Sequence, residues 1–247
     1  MNNILITNKL TKTFGKQTAV KEIDLVIPKG EIYGLVGRNG AGKTSFMKMI
    51  SGLSHPSSGN FSLFGIENSK TSKSELYVQV GSLIETPGFF ENMSAYDNLL
   101  MKAYCTNIED KNSHISQLLE LVDLQDVGKK KVKNFSLGMK QRLGVAMALI
   151  GNPKLLILDE PINGLDPQGI AEMRDIILKL NREYQITVII SSHILEELSK
   201  MVTSYGIIDR GELIYENSSE GLVKECQDKG VTLEEFYFGI TGGRRNV

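Results

Sequence analysis

The residues with the clearest chemical meaning form the segment Gly-Arg-Asn-Gly-Ala-Gly-Lys-Thr, residues 37–44. Its glycines lack a Cβ, which lets the backbone turn so that successive N–H groups point at one anion. Lys43 adds a mobile cation, and the Thr44 hydroxyl is a suitable Mg²⁺ ligand. A helix starting near Gly42 would direct its positive end toward the same charge. The segment therefore predicts a nucleoside triphosphate site formed by Gly37, Arg38, Asn39, Gly40, Ala41, Gly42, Lys43, Thr44 and Ser45.

A second group of candidate residues lies in Leu-Leu-Ile-Leu-Asp-Glu-Pro, residues 155–161. An apolar strand here carries adjacent carboxylates to its C-terminal end, the edge at which ligands of open α/β sheets bind. Neighbouring side chains on a strand point in opposite directions. We therefore expect Asp159 to hold Mg²⁺ while Glu160, as a general base, faces the attacking water.

These residues need a sheet to position them, and the hydrophobic pattern predicts one. An apolar strand at 32–36 precedes the glycine-rich loop, and a helix at 45–50 follows it. The C-terminal part alternates predicted strands at 155–158, 186–191 and 205–209 with predicted helices at 168–180 and 194–201. Such alternation is typical of a parallel α/β sheet.

The rest of the chain adds two further units to this core. Strand patterns at 4–9 and 19–27 predict an antiparallel β edge, and residues 94–150 have helical periodicity typical of an inserted helical block. We predict a single domain with three parts. A nucleotide-binding core with its β subdomain takes residues 1–88 and 152–216, a helical subdomain takes 89–151, and a C-terminal tail takes 217–247.

Composition narrows the function classes. The chain has 247 residues and a formal net charge of −1, which suits one large domain and gives no case for nucleic acid as a partner. The basic cluster of Lys129–Lys131 and Lys133 is interpreted as a solvated loop. Cys105 and Cys226 show no metal-binding spacing and are assigned no chemistry. With no signal pattern or long apolar run, we expect any membrane role to come through a partner.

Together, these motifs closely resemble the ATP-binding subunit of ABC transporters over nearly the whole chain. The most specific match is the signature Phe-Ser-Leu-Gly-Met, residues 135–139, followed by Lys-Gln-Arg. The resemblance implies a P-loop NTPase (RecA-like) core that binds ATP and Mg²⁺. It also implies that Ser136 and Gly138 contact the γ-phosphate of ATP on a second ATPase subunit, so that function requires a dimer. Family members usually have glycine and glutamine where this chain has Leu137 and Met139.

Three more positions match the family. Phe14 corresponds to an aromatic residue that stacks on adenine, and Asp166, in Gly-Leu-Asp, lies in the loop that communicates between the two sites. His193, in Ser-Ser-His, corresponds to the switch histidine that contacts the γ-phosphate. By itself, a histidine after a strand is more often structural, but its spacing from the carboxylates favours the functional role. His55 and His114 have no such context and are interpreted as surface residues.

Glu85 departs from the family pattern, which usually has a glutamine here that touches Mg²⁺ and senses the membrane subunit. A carboxylate could bind Mg²⁺ more strongly, but it adds negative charge beside the triphosphate, Asp159 and Glu160. Glu85 is therefore a candidate metal ligand and a candidate coupling residue. The adjacent Phe89 and Phe90 are either contacts for the membrane subunit or part of the subdomain core.

A narrower resemblance is to lantibiotic immunity and bacitracin-resistance exporters. It rests on Glu85, the run Ser-Leu-Gly-Met-Lys-Gln-Arg-Leu-Gly and the run Asp-Glu-Pro-Ile-Asn-Gly-Leu-Asp-Pro. It implies two ATPase copies beneath integral membrane permease subunits, at the cytoplasmic face of the cell membrane. The cargo would be a peptide antibiotic removed from the membrane or the cell surface.

Other functions remain open at this point. The chain could serve an ABC exporter of another substrate. A soluble ABC ATPase of ribosomes or iron–sulfur assembly would keep the same nucleotide motifs, although ribosomal members carry two such domains in one chain. A scaffold that binds ATP without turnover is disfavoured by the set Lys43, Asp159, Glu160 and His193.

Overall fold

The computed structural model describes residues 3–68, 76–85 and 87–242. Thr86 of the Glu85 loop, and residues 1–2, 69–75 and 243–247 of the predicted domain, lie outside the described residues. The strands are β1 (Asn3–Phe14), β2 (Gln17–Pro28), β3 (Ile32–Val36), β4 (Ser58–Leu63), β5 (Ile66–Glu67), β6 (Val80–Leu83), β7 (Leu155–Leu158), β8 (Thr187–Ser192), β9 (Ser204–Asp209) and β10 (Glu212–Ser218).

The strands of the described residues form two sheets. The first is antiparallel with the order β2-β1-β4-β5, and the second has the order β10-β9-β3-β8-β7-β6. In the second sheet all neighbours run parallel except β10, which is antiparallel to β9. The predicted fold class, an α/β P-loop core with a mostly parallel sheet, an antiparallel β edge and inserted helices, is confirmed.

The helices connect and cover the strands. They are α1 (Lys43–Ile50), α2 (Ala95–Ala103), α3 (Lys111–Leu121), α4 (Leu137–Leu149), α5 (Pro167–Arg182), α6 (Leu195–Ser199), α7 (Ser219–Lys229) and α8 (Leu233–Ile240). Short 3₁₀ turns at Gln125–Val127 and Val132–Asn134 lie between α3 and α4. None of the helices in the described ranges is long and apolar enough to span a bilayer.

The core consists of two hydrophobic clusters on opposite faces of the six-stranded sheet. Strand β7 is buried throughout, and its alternate residues divide between the clusters. Leu156 and Leu158 join a cluster that includes residues of α2, α3 and α4, whereas Leu155 and Ile157 join one that includes residues of α1 and the antiparallel sheet. Burial on both faces explains why the sequence of β7 is continuously apolar rather than alternating.

Several predicted boundaries differ from those in the structure; the strand predicted at 4–9, for example, extends over Asn3–Phe14. The helix predicted at 194–201 is shorter, because the Ile194 N–H is bonded to the Ser192 hydroxyl and the chain after Ser199 turns toward β9. The predicted C-terminal tail, residues 217–247, begins within β10. Its described part contains α7 and α8, and Leu222 and Phe236 pack in the main hydrophobic cluster.

Candidate functional site

The glycine-rich loop connects β3 to α1, as its sequence predicts. Gly42 caps α1 with a φ of 113°, and a Cβ there would lie 2.4 Å from the Ala19 carbonyl oxygen, so only glycine fits. Lys43 is 5% exposed. Its Nζ lies 2.6 Å from the Gly37 carbonyl oxygen and donates a longer bond to that of Arg38. The loop therefore turns this cation inward, over the space that the loop encloses.

Thr44 and Asp159 meet at the end of the parallel sheet. The Thr44 hydroxyl donates to Asp159 Oδ2 at 2.7 Å, and the hydroxyl of Ser191 donates to Asp159 Oδ1 at 2.6 Å. Ser191 is fully buried at the end of β8, the strand between β3 and β7. The Asp159 carboxylate is thereby fixed between neighbouring strands and the first turn of α1.

Glu160 follows the end of β7 and has partners that differ from those of Asp159. Its Oε1 lies 3.1 Å from Lys43 Nζ, and its Oε2 lies 2.8 Å from His193 Nδ1. Oε1 is buried and, despite the nearby lysine, has no hydrogen bond of acceptable geometry. Glu160 also has a φ of 50°, which is uncommon for a residue other than glycine. A strained backbone at a carboxylate held between a lysine and a histidine is a feature often found at functional sites.

The oxygen groups of this cluster suit Mg²⁺. A hydroxyl and a carboxylate are the hard oxygen ligands that this ion prefers, and it is usually bound by one or two carboxylates together with phosphate oxygens. Thr44 and Asp159 supply such a partial set. Within the described ranges, no group of three His, Cys, Asp or Glu side chains is arranged to hold a metal. The residues fit a metal that arrives with a phosphate ligand.

Phe14 lies at the mouth of the same site. It is 55% exposed, and it lines a cavity of about 330 Å³ together with Gln17, Ala19, residues 38–45 and Glu160. Lys12 Nζ lies 5.0 Å from the centre of the Phe14 ring. The antiparallel sheet, which carries Phe14 at the end of β1, thus provides an exposed aromatic face beside the glycine-rich loop.

Ser136, Gly138 and Asp166 come together in a different place. They line a separate cavity of about 400 Å³ with Met139, Arg142, Gly164 and Leu165. Ser136 and Asp166 each cap a helix, accepting from the N–H of Met139 and of Gly169 respectively. None of these residues lines the cavity of the glycine-rich loop. The chain therefore has two separate cavities, one beside the glycine-rich loop and one beside the N-terminus of α4.

The residues that depart from the family signature have apolar contacts of their own. A Cβ on Gly164 would lie 3.1 Å from Leu137 Cδ2, so Leu137 covers the loop that carries Asp166. Met139 is partly buried against the main hydrophobic cluster. Their side chains are accommodated within the protomer, and Leu137 remains 49% exposed.

Glu85 makes an ion pair that the sequence did not predict. Its Oε1 lies 2.5 Å from Lys48 Nζ, on the second turn of α1. Its φ is 61°, and the side chain is 63% exposed. The carboxylate is therefore close to the helix that follows the glycine-rich loop, and its partner in this arrangement is a lysine.

Sequence reasoning also missed Tyr237, which α8 brings to the glycine-rich loop. Burial raises the pKa of its hydroxyl, and the positive charge and hydrogen bonding of Arg38 lower it in part. Tyr237 and Phe238 line a cavity of about 440 Å³ with Arg38, Asn39 and His193.

Three sequence interpretations are refined. Phe89 packs partly buried against the helical core, as the core alternative predicts, whereas Phe90 is 55% exposed. His114 is not a plain surface residue, since its Nε2 is buried without a hydrogen-bond partner on α3. Lys129–Lys131 are exposed, as expected for a solvated loop.

Comparison with known proteins agrees with this geometry. The family model described as ABC transporter matches residues 20–163. The chain is 46% identical to the bacitracin transport ATP-binding protein BcrA of Bacillus licheniformis, covering 97% of this chain and 81% of that protein. It is 45% identical to the lantibiotic transport ATP-binding protein SrtF of Streptococcus pyogenes, covering 88% and 92% respectively.

Solved structures show the same fold. CbiO1 from Clostridium perfringens, part of an ABC transporter complex, superposes with a TM-score of 0.82 at 24% identity, over 96% of this chain and 98% of that one. The ATP-binding cassette MJ0796, in a dimeric state bound to ADP and Pi, gives 0.78 at 22% identity, over 87% and 98%. The chain therefore belongs to the ABC transporter family, as an ATP-binding subunit that is an ATPase.

Proposed function

We propose that this ATPase powers the export, or the clearance from the membrane, of a peptide antibiotic. The proposed hydrolysis of ATP is supported by the position of Glu160, whose carboxylate lies between Lys43 and His193. One buried oxygen of this carboxylate has no hydrogen bond. The cargo class rests on the relatives, which are named for bacitracin and lantibiotic transport.

ATP binding would use the glycine-rich loop and Phe14. The loop N–H groups and the N-terminus of α1 surround the β- and γ-phosphates. Lys43 exchanges its contact with Glu160 for the phosphates, which leaves Glu160 free of its cation. Phe14 offers its exposed ring to the adenine. The open position of Phe14 suits a base that enters from the solvent side.

Mg²⁺ is proposed as the metal that accompanies ATP. Thr44 and Asp159 would hold it, and Ser191 would keep the Asp159 carboxylate in the required orientation. The metal would supply neutralisation of the charge on the phosphates. Glu85, the third candidate ligand, is bound to Lys48 in the present arrangement, so it would have to change partner to take part.

Hydrolysis depends on Glu160 and His193. Glu160 would orient the attacking water and accept its proton. His193 holds Glu160 through Nδ1, which leaves the opposite ring nitrogen for the γ-phosphate. Positioning and electrostatic stabilisation account for most of the catalysis in phosphoryl transfer, and these side chains supply both.

We further propose that the complete site forms between two copies of the chain. Ser136 and Gly138 lie outside the cavity of the glycine-rich loop and present a helix N-terminus, which is a favourable place for a phosphate. In a head-to-tail dimer, this face would close over ATP on the partner. Asp166, in the same cavity, would link the two sites. ATP favours the closed dimer, and hydrolysis releases it.

The remaining partners would be integral membrane permease subunits. Phe90 is an exposed apolar side chain close to Glu85 in sequence, and it is the proposed contact with a permease. Phe89 would support it from the core. The ATPase would thus lie at the cytoplasmic face of the cell membrane, attached through the permease, with no role for nucleic acid.

Affinity purification from native membranes tests this function. Tagged Glu160→Gln protein is isolated in a mild detergent with ATP, and co-eluting proteins are identified by mass spectrometry. We expect polytopic membrane proteins at stoichiometric yield, and increased sensitivity to bacitracin or a lantibiotic when the gene is deleted. Recovery of ribosomes or assembly factors would contradict the transporter role. Unchanged sensitivity to these peptides despite a membrane partner would contradict only the cargo class.

A further inference from the structure

One face of α1 contacts two different carboxylates. Thr44 and Lys48 lie one turn apart, a spacing that places side chains on the same side of a helix. Thr44 donates to Asp159, and Lys48 lies 2.5 Å from Glu85. The helix that begins at the phosphate-binding loop therefore holds both the proposed metal ligand and the glutamate that replaces the family's glutamine.

The sheet register places the residues that follow β6 next to those that follow β7. Leu83 pairs with Leu158, and the Asp159 N–H donates to the Leu83 carbonyl oxygen at 2.8 Å. Glu85 follows β6 by the same number of residues as Glu160 follows β7. Because parallel strands end at one edge, three carboxylates leave neighbouring strands together. Lys48 supplies a cation to this edge of the sheet through its ion pair with Glu85.

The ion pair is exposed enough to exchange partners. The side chains of Lys48 and Glu85 are 32% and 63% exposed, and exposed pairs contribute little to folding stability. Residues 87–90, on the far side of position 86, have no regular secondary structure. The pair therefore sets where the carboxylate lies rather than holding the fold together.

We propose that Lys48 is a positioning residue that competes with Mg²⁺ for the carboxylate of Glu85. This inference rests on the proposed use of Mg²⁺ by the ATP site. A glutamine at this position would carry no charge and would be held only weakly by a lysine. Lys48 thus compensates for the charge of Glu85. It also sets the metal concentration at which the Glu85 carboxylate exchanges Lys48 for the metal ion.

The test measures metal binding by the isolated subunit. Mn²⁺ stands in for Mg²⁺ and is titrated by electron paramagnetic resonance, in the presence of a non-hydrolysable ATP analogue. Lys48→Met removes the charge while keeping an unbranched side chain. We expect its half-saturating Mn²⁺ concentration to fall about two- to fivefold, the size expected for the loss of an exposed charge pair. Lys48→Arg keeps the pair and should match the wild type.

A double-mutant cycle separates this competition from a general effect of charge. In a Glu85→Gln background, Lys48→Met should leave the Mn²⁺ titration unchanged. Lys200→Met, which removes another exposed lysine from an ion pair with Glu197, is the matched control and should have no effect. An equal shift in the Glu85→Gln background, or no shift in the wild-type background, would overturn the proposal. If the wild type itself binds no Mn²⁺ with the analogue, the proposed metal dependence fails instead.

Discussion

Ser191 Oγ donates a 2.6 Å hydrogen bond to Asp159 Oδ1. Ser191 Oγ also accepts a 2.9 Å hydrogen bond from the backbone N–H of Glu160. One buried hydroxyl thus fixes the proposed metal ligand through its side chain and the proposed base through its backbone. Because β8 lies between β3 and β7, Ser191 also connects these carboxylates to the strand that leads into the glycine-rich loop.

Ser191→Ala should therefore impair both stability and activity. The buried Asp159 oxygen and the Glu160 N–H lose their partner, which should lower the free energy of unfolding by about 1–3 kcal/mol. The displaced carboxylates should lower kcat by roughly tenfold to a hundredfold. Urea denaturation and steady-state ATPase assays measure the two effects. Ser192→Ala, which removes the neighbouring buried hydroxyl, is the control, and an equal loss of kcat in that variant would contradict this role.

Glu160→Gln should abolish turnover while keeping ATP binding. The amide cannot accept the proton of water, so the rate should fall by roughly 10² to 10⁴. The side chain keeps its shape, and Lys43 loses a competing anion, so the Kd for ATP should stay similar or fall. Phosphate release and equilibrium nucleotide binding measure these quantities. Hydrolysis near the wild-type rate would exclude Glu160 as the base.

Phe14→Ala should weaken nucleotide binding without changing the chemical step. Loss of the aromatic face should raise the Kd for ATP by roughly two- to tenfold. Phe14→Tyr keeps the ring and should bind like the wild type. Titration with ATP and with inorganic triphosphate separates contacts with the base from contacts with phosphate. If Phe14→Ala lost as much affinity for inorganic triphosphate as for ATP, Phe14 would act through the glycine-rich loop and not through adenine.

His114 should make the helical subdomain less stable in acid. Burial lowers its pKa from the ordinary 6.5, so the folded protein resists protonation. As the pH falls from 6.5 through the lowered pKa of the folded state, the unfolded chain binds the proton more readily, and folding stability decreases. Stability measured by urea denaturation from pH 7.5 to 5 should fall less steeply in His114→Gln. His55→Gln serves as the control for losing an exposed histidine, and identical slopes for wild type and His114→Gln would contradict the prediction.

Much of the core was predictable because local sequence determines it. The strand Leu155–Leu158 is apolar throughout since both of its faces are buried, and its predicted bounds match the structure. The glycine-rich loop was also recognisable, because Gly42 occupies a backbone conformation that other residues rarely adopt. The roles of Ser136, Phe14 and His193 stay predictions.

Other features depend on contacts between distant segments and leave little local signal. Tyr237 contacts the region of Arg38 because α8 packs against α6, the short helix that follows β8. The pair of Lys48 with Glu85 joins residues far apart in sequence through the left-handed backbone of Glu85. Such contacts follow from tertiary packing, which neither periodicity nor residue spacing reveals.

The proposal that two copies of the chain share each ATP site is tested most directly by the mass of Glu160→Gln protein in solution with ATP. This mass is measured by light scattering after size-exclusion chromatography. The variant should be a dimer at saturating ATP and a monomer with ADP. Adding Gly138→Asp should prevent dimerisation, since it places a carboxylate at the proposed γ-phosphate contact. The protomer itself has room for that side chain, because a Cβ there would meet only Leu165 Cδ2, at 3.8 Å. The shared site would be contradicted if Glu160→Gln protein bound ATP but stayed monomeric. It would also be contradicted if the dimer still formed after Gly138→Asp was added.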